Sequence, residues 1–257
     1  MLIRRHLAQC SAMGSILPAH VVTAETVEDL PNAELYPEEE AAIHHAGMGR
    51  RREFATVRQC ARVALAGLGL PAAPIVPGAD REPQWPDGVV GSLTHCDGYR
   101  AAALARDTDV ASVGIDAEPH DSLPDRVLPM IAGPDESRHL SRLRSEIPEV
   151  HWDRLMFSAK ESVYKAWFPL ARTWLDFKEA TVAFDPATRT FEAELHRSGA
   201  FVDGRPVTRL TGRWLVRNSL VFTSTILTRS RPVLSDEHSG RVFGADGGLC
   251  AVGGSRQ

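Results

Sequence analysis

A chain of 257 residues with 43% hydrophobic content is long enough to bury a substantial core, as one large domain or as two smaller lobes. Its formal charge of −4 excludes a general nucleic-acid binder, although a local basic patch facing an anion would not show in that total. The widely spaced cysteines Cys10, Cys60, Cys96 and Cys250 form no CxxC pair, which excludes a disulfide framework and a structural zinc site; no stretch is apolar enough to span a membrane, and a reducing cytoplasm is the expected setting.

Residues 1–13 read as an N-terminal extension, with Met13 as an alternative start, and residues 14–37 as irregular chain. "PEEEAAIHHAG" opens a short helix whose acids sit in the first turn, where the helix dipole favours them. In "RRREFATVRQCARVALAGLG", Phe54, Val57, Ala61, Leu65 and Leu68 keep helical spacing, while Arg51, Arg58 and Arg62 recur on another face. By spacing alone that basic stripe is either a solvated face or an anion site. The proline-dense stretch "PAAPIVPGADREPQWPDG" is loop.

Three strand-like runs follow, "VVGSLTH", "YRAAALAR" and "ASVGIDAE", and suggest a small antiparallel sheet. "SLPDRVLPMIAGPDESRHLSRLRSEIP" predicts two short helices broken at Gly133-Pro134, and "HWDRLMFSAKESVYKAWFPL" one long helix. "ATVAFD", "TFEAELH", "GRWLVRN" and "LVFTSTIL" predict a second sheet, and residues 230–257, rich in Gly and Ser, a mobile tail.

Two clusters of charge stand out. Asp116 and Glu118 are two residues apart at the end of an apolar strand, so both carboxylates project from one face. In the long helix, Trp152, Met156, Val163 and Trp167 share an arc that Phe157, Tyr164 and Phe168 continue, yet Lys160 falls inside it and Glu161 at its edge. A snorkelling lysine, or a simple Glu161–Lys165 pair one turn apart, would each account for these charges. Read together, Asp116, Glu118 and Glu161 are the hard oxygen donors that Mg2+ takes, and Lys160 and Lys165 beside them predict a phosphate-bearing substrate. Flanked by two lysines, the Glu161 carboxyl is expected below its usual range and ionised at neutral pH.

"VGIDAE", followed some forty residues later by "FSAKESVYKAW", resembles the paired signature of Sfp-type 4'-phosphopantetheinyl transferases, and "GSLTHC" resembles a third motif of that family. "RRREFATVRQCAR", "REPQWPDG" and "HWDRLMFSAKES" extend the likeness to its actinobacterial branch. The resemblance implies an α+β fold of two pseudo-symmetric α/β lobes, residues 14–115 and 116–229, each a small, mainly antiparallel sheet packed on a long helix. Coenzyme A would bind between them.

It also implies that a monomeric enzyme moves the 4'-phosphopantetheine arm of coenzyme A to a serine of apo carrier proteins of polyketide, nonribosomal-peptide or fatty-acid synthases, releasing adenosine 3',5'-bisphosphate. Asp116, Glu118 and Glu161 would hold Mg2+, with Mn2+ as a substitute, and Glu161 would take the serine proton. Lys160 and Lys165 would offset charge as the bond breaks. Arg50, Arg58 and His95 would meet the 3'-phosphate, with Thr94 donating nearby and Asp116 at the pyrophosphate. Relatives carry a lysine where Pro77 stands, and Arg81 is the candidate replacement; Arg51, Arg52 and Arg62 are expected to be surface charge. A phosphohydrolase that uses the same acids on coenzyme A alone, and a non-catalytic coenzyme A or carrier binder, remain the competing readings.

Overall fold

The computed structural model describes residues 11–229, so the readings of residues 1–10 and of the tail 230–257 lie outside the described residues. Strand β1 (Val22–Thr26) is followed by helices α1 (Pro37–Ile43) and α2 (Met48–Gly67), then by β2 (Val89–Cys96), β3 (Tyr99–Arg106) and β4 (Val110–Pro119). Helices α3 (Leu128–Ile131), α4 (Pro134–Glu146) and α5 (Trp152–Ala171) precede β5 (Ala180–Asp185), β6 (Thr190–Leu195), β7 (Phe201–Val202), β8 (Arg205–Pro206), β9 (Arg209–Arg217) and β10 (Leu220–Thr228). The α+β class and the long helices follow the expectation.

The first sheet runs β1-β3-β2 and the second β4-β10-β9-β6-β5, and every pairing is antiparallel. Two expectations need correction. The stretch 14–37 is not wholly irregular, because Val22–Thr26 pairs along β3. β4 does not belong with β2 and β3: it pairs with β10 from Val110 to Pro119, so the halves divide before Val110 and not at residue 116. A strand joins the sheet whose edge offers it a long register, and all nine residues of β10 pair along β4, with one irregularity between Leu227 and Thr228.

Side-chain alternation builds the layers. In β3, Ala102 and Leu104 pack with Cys60, Ala61, Ala64 and Leu65 of α2, while Tyr99, Ala101, Ala103 and Ala105 turn the other way. There they meet Val113, Ile115 and Ala117 of β4, and Tyr99 meets Phe222 edge-on at 5.0 Å. Met13 is fully buried in this shared cluster, and Glu25 accepts hydrogen bonds from Ser11 Oγ and from the backbone amides of Ala12 and Met13. Residues 11–13 are thus part of the fold rather than of an extension.

The other face of β4 carries α5. A Cβ on Gly114 would lie 1.9 Å from the Ser162 carbonyl oxygen, so only glycine lets the helix sit this close. Ser112 Oγ donates to the Ala166 carbonyl, and the hydroxyls of Ser158 and Ser162 meet those of Thr223 and Thr225 on β10. Small hydroxylated residues fix the register of helix on strand, and with it the position of every charge α5 carries.

Candidate active site

The face of β4 that meets α5 holds Ser112, Gly114, Asp116 and Glu118 in alternation, so the two acids do share a face as their spacing predicts. Asp116 is 4% exposed. Its Oδ1 accepts from Lys165 Nζ at 2.7 Å, and Thr94 Oγ1 lies 3.4 Å from the same oxygen. Its Oδ2 is buried and has no hydrogen-bond partner among the described residues. Lys165 also donates to the Ile115 carbonyl at 3.2 Å. Burial works to lower the Lys165 pKa, but Asp116, Glu161 and Glu118 outweigh it and hold the ammonium above its usual range.

Glu118 Oε2 accepts from Arg154 Nη1 at 3.1 Å. Burial, then the charge of Asp116, pushes the Glu118 carboxyl up against the pull of Arg154 and Lys165. Glu161 is raised too, by burial first and by Asp116, although Lys165 pulls the other way. This reverses the expectation that flanking lysines would depress it.

Lys160 explains the reversal. It is 3% exposed, and its ammonium donates to Glu136 Oε2 at 3.0 Å, to the Phe177 carbonyl at 2.6 Å and to the Ala180 carbonyl at 2.8 Å. Glu136 in turn accepts from the backbone amides of Gly133 and Val182, so the pair ties α4 and β5 to α5. All three protons of Lys160 are committed on the side of α4 and β5, and the structure does not bring this lysine to Asp116 as expected. Lys160 and Glu161 do line one small recess with Tyr164, Trp174 and Phe177, in which Trp174 is 62% exposed.

The donor chemistry fits a hard dication: an orphaned carboxylate oxygen and two neighbouring carboxyls raised by burial first and then by the charge of Asp116, both of which a bound cation would offset. The three carboxylates are not already gathered. Among the described residues no three His, Cys, Asp or Glu side chains form a ready metal cluster, so sharing an ion requires them to rotate inward.

The neighbouring dipeptide Thr94-His95 divides by strand alternation. Thr94 Oγ1 accepts from the Ala117 amide at 3.1 Å, as Ser92 Oγ does from Ile115, which stitches β2 to β4 beside the acids. His95 turns to the other face, where Arg50 Nη1 lies 2.5 Å from its Nε2. Burial, then the charge of Arg50, lowers its pKa from 6.5 to about 4, so the neutral ring accepts from the guanidinium. Arg50, itself exposed, is bonded also to Glu53.

Arg58 is buried. Its Nε donates to the Ile75 carbonyl at 3.1 Å, and its guanidinium carbon lies 3.3 Å from the Phe54 ring centroid. Burial lowers its pKa to about 10. Arg62 is not the surface charge expected: it is buried against Glu39, which also accepts from the Ile75 amide. Helix spacing alone could not reveal this, because Glu39 and Ile75 come from separate segments. Arg51 pairs with Glu40 at the surface. Arg81, exposed at φ 68°, lies on the turn where Gly78 and Glu82 are bonded through their backbones, and no contact draws its side chain to Asp116. Arg154 is the site residue that sequence reasoning missed; it sits eleven residues before Lys165, three helical turns, on the same face.

Two family models match the chain in succession, the 4'-phosphopantetheinyl transferase N-terminal domain over residues 38–105 and the 4'-phosphopantetheinyl transferase superfamily over residues 112–206. Their junction falls where the second sheet begins. The chain is 51% identical to the 4'-phosphopantetheinyl transferase Svp of Streptomyces mobaraensis over 82% of its length and 87% of the relative. It is 47% identical to the 4'-phosphopantetheinyl transferase PptT of Mycobacterium tuberculosis, over 82% of the chain and 98% of the relative. Enterobactin synthase component D of Salmonella typhi is 33% identical over 73% of the chain and 76% of the relative. Matched in both halves, and about half identical to two such enzymes over most of its length, the chain belongs to the 4'-phosphopantetheinyl transferase family.

Proposed function

We propose that the chain acts as a monomer in the cytoplasm and transfers the 4'-phosphopantetheine arm of coenzyme A to a serine of apo carrier proteins, with Mg2+, or Mn2+ in its place, held by Asp116, Glu118 and Glu161. The observation that carries the metal reading is the buried, unpartnered Oδ2 of Asp116 beside two carboxyls of raised pKa. The metal would polarise the pyrophosphate and offset its charge.

The chain's own groups account for the rest. Glu161 accepts the serine proton at its carboxylate. The serine oxygen bonds to the phosphorus that carries the pantetheine, the P–O–P bond breaks, and adenosine 3',5'-bisphosphate leaves with the bridging oxygen. Lys165, held charged between Asp116 and Glu161, offsets the charge that grows on the leaving group. Arg50 with neutral His95, and the guanidinium of Arg58 beyond its anchored Nε, suit the 3'-phosphate. Thr94 shapes the pyrophosphate side through Asp116 and Ala117, and Arg81 offers an exposed cation to an anion entering the cleft.

One relative is named as a component of enterobactin synthase, which supports synthase-borne carriers, those of nonribosomal-peptide, polyketide or fatty-acid assembly, as partners. The test is intact-mass analysis of a panel of apo carriers after incubation with coenzyme A and Mg2+. Carriers should gain one phosphopantetheine each, only when metal is present. Release of phosphopantetheine from coenzyme A with no carrier in the tube would mean hydrolysis instead.

A further inference from the structure

The two acids of β4 are held in the same way. Each gives one carboxylate oxygen to a cation from α5: Asp116 Oδ1 to Lys165, Glu118 Oε2 to Arg154. In each the other oxygen has no hydrogen-bond partner among the described residues, and Asp116 Oδ2 is buried in that state. Lys165 lies next to the chemistry. Arg154 lies at the far end of the same helix face, and its remaining bonds go elsewhere: Nε donates to the Asp121 carbonyl at 3.1 Å and Nη2 to the Ser122 carbonyl at 3.3 Å.

The guanidinium therefore ties together the end of β4, the loop after it and the first turn of α5. That loop is fixed independently, by Asp153 Oδ2 accepting from the Leu123 amide and by His120 Nε2 accepting from the His151 amide. A planar fork with donors in fixed directions, on an anchored base, sets a carboxylate's rotamer as a lysine cannot.

We propose that Arg154 is a positioning residue for the metal site: by holding Glu118 through Oε2 alone, it presents Oε1 as a single-oxygen ligand and sets the affinity for the divalent cation without touching coenzyme A. The inference rests on the metal reading above. Two effects of removing Arg154 oppose each other. Loss of a positive charge near the site would tighten cation binding, and loss of orientation would weaken it. Arg154 and Glu118 side chains are 17% and 21% exposed, and solvent near them screens the charge effect, whereas among the described residues no other side chain is hydrogen-bonded to Glu118. Orientation wins.

The test is Mn2+ binding to the full chain, read by electron paramagnetic resonance without carrier, in the presence and absence of coenzyme A. Arg154→Met should weaken Mn2+ about 10- to 100-fold, the usual effect of removing a group that orients a metal ligand, and Arg154→Lys should restore only part of it. Coenzyme A affinity without metal should stay unchanged in both. Asp116→Ala separates the two readings. If Asp116→Ala leaves Mn2+ affinity unaltered, the metal reading itself falls. If Asp116→Ala abolishes binding while a folded Arg154→Met binds Mn2+ normally or more tightly, the role assigned to Arg154 is wrong and the metal reading stands.

Discussion

Lys165 Nζ sits 2.7 Å from Asp116 Oδ1 while the other oxygen of the same carboxylate is buried without a partner. One acid thus serves two purposes, a tether for the helix and a free ligand beside it. Asp116→Ala removes both. Carrier modification should be lost, and unfolding free energy should fall by about 1.5–3 kcal/mol, the range for a hydrogen bond to a charged group, because a largely covered ammonium loses its nearest acceptor. Urea denaturation would check this; an unchanged midpoint would mean Glu161 takes over the lysine fully.

Lys160 should prove structural. Lys160→Met leaves Glu136 charged and buried, which costs about 3–5 kcal/mol when a buried pair is broken on one side. Adding Glu136→Gln should recover much of that loss. In both variants kcat per folded molecule should stay near normal, in contrast to Lys165→Ala. A large fall in kcat for the stable double variant would return Lys160 to the chemistry.

Glu161→Gln should trade stability against rate. The folded pKa lies above the ordinary 4.5, so the fold favours the protonated form. The ionised carboxylate therefore subtracts stability once pH rises past the unfolded value, and that deficit disappears on acidification. The variant should be more stable than the parent at pH 7–8, with the difference shrinking towards pH 4, while kcat drops by about 10²–10⁴. Thermal melts across pH and single-turnover kinetics read the two halves separately.

His95 should resist protonation. Its NMR titration midpoint is expected near pH 4 in the parent. Arg50→Ala should raise it, but not to 6.5, because burial is the larger of the two causes. The same substitution should weaken coenzyme A at least tenfold more than 3'-dephospho-coenzyme A, given about 1.5–3 kcal/mol for a charge-assisted bond. Equal weakening of both ligands would move Arg50 away from the 3'-phosphate.

Gly114→Ala should act through the backbone of α5, since the three atoms nearest its new Cβ belong to no charged side chain. Its new Cβ would overlap the Ser162 carbonyl and come within 2.8 Å of the Ala166 amide, so α5 must lift. A loss of about 1–3 kcal/mol is expected, together with lower kcat, since Glu161 and Lys165 ride on that helix. Gly49→Ala is the control: its Cβ would meet nothing within 4 Å, and stability should hold or rise.

Local physics made the acids, the helices and most strands readable. Period-2 alternation put Asp116 and Glu118 on one face, and period-3.6 spacing set out both long helices, because these patterns depend only on backbone geometry. Charge environments were not readable in that way. Lys160 and Lys165 are one turn and a little more apart on one helix, yet one bonds Glu136 and the other Asp116. Arg62 and Arg58 lie on one stripe, yet one closes on Glu39 and the other on the Ile75 carbonyl. The partners come from segments distant in the chain, so only the packing of sheet on helix decides which charge faces which. The pKa of Glu161 turned on that choice, since a lysine spoken for elsewhere leaves burial and Asp116 to dominate. The allegiance of β4 was also tertiary, because strand pattern fixes which residues share a face but not which neighbouring edge the strand will join.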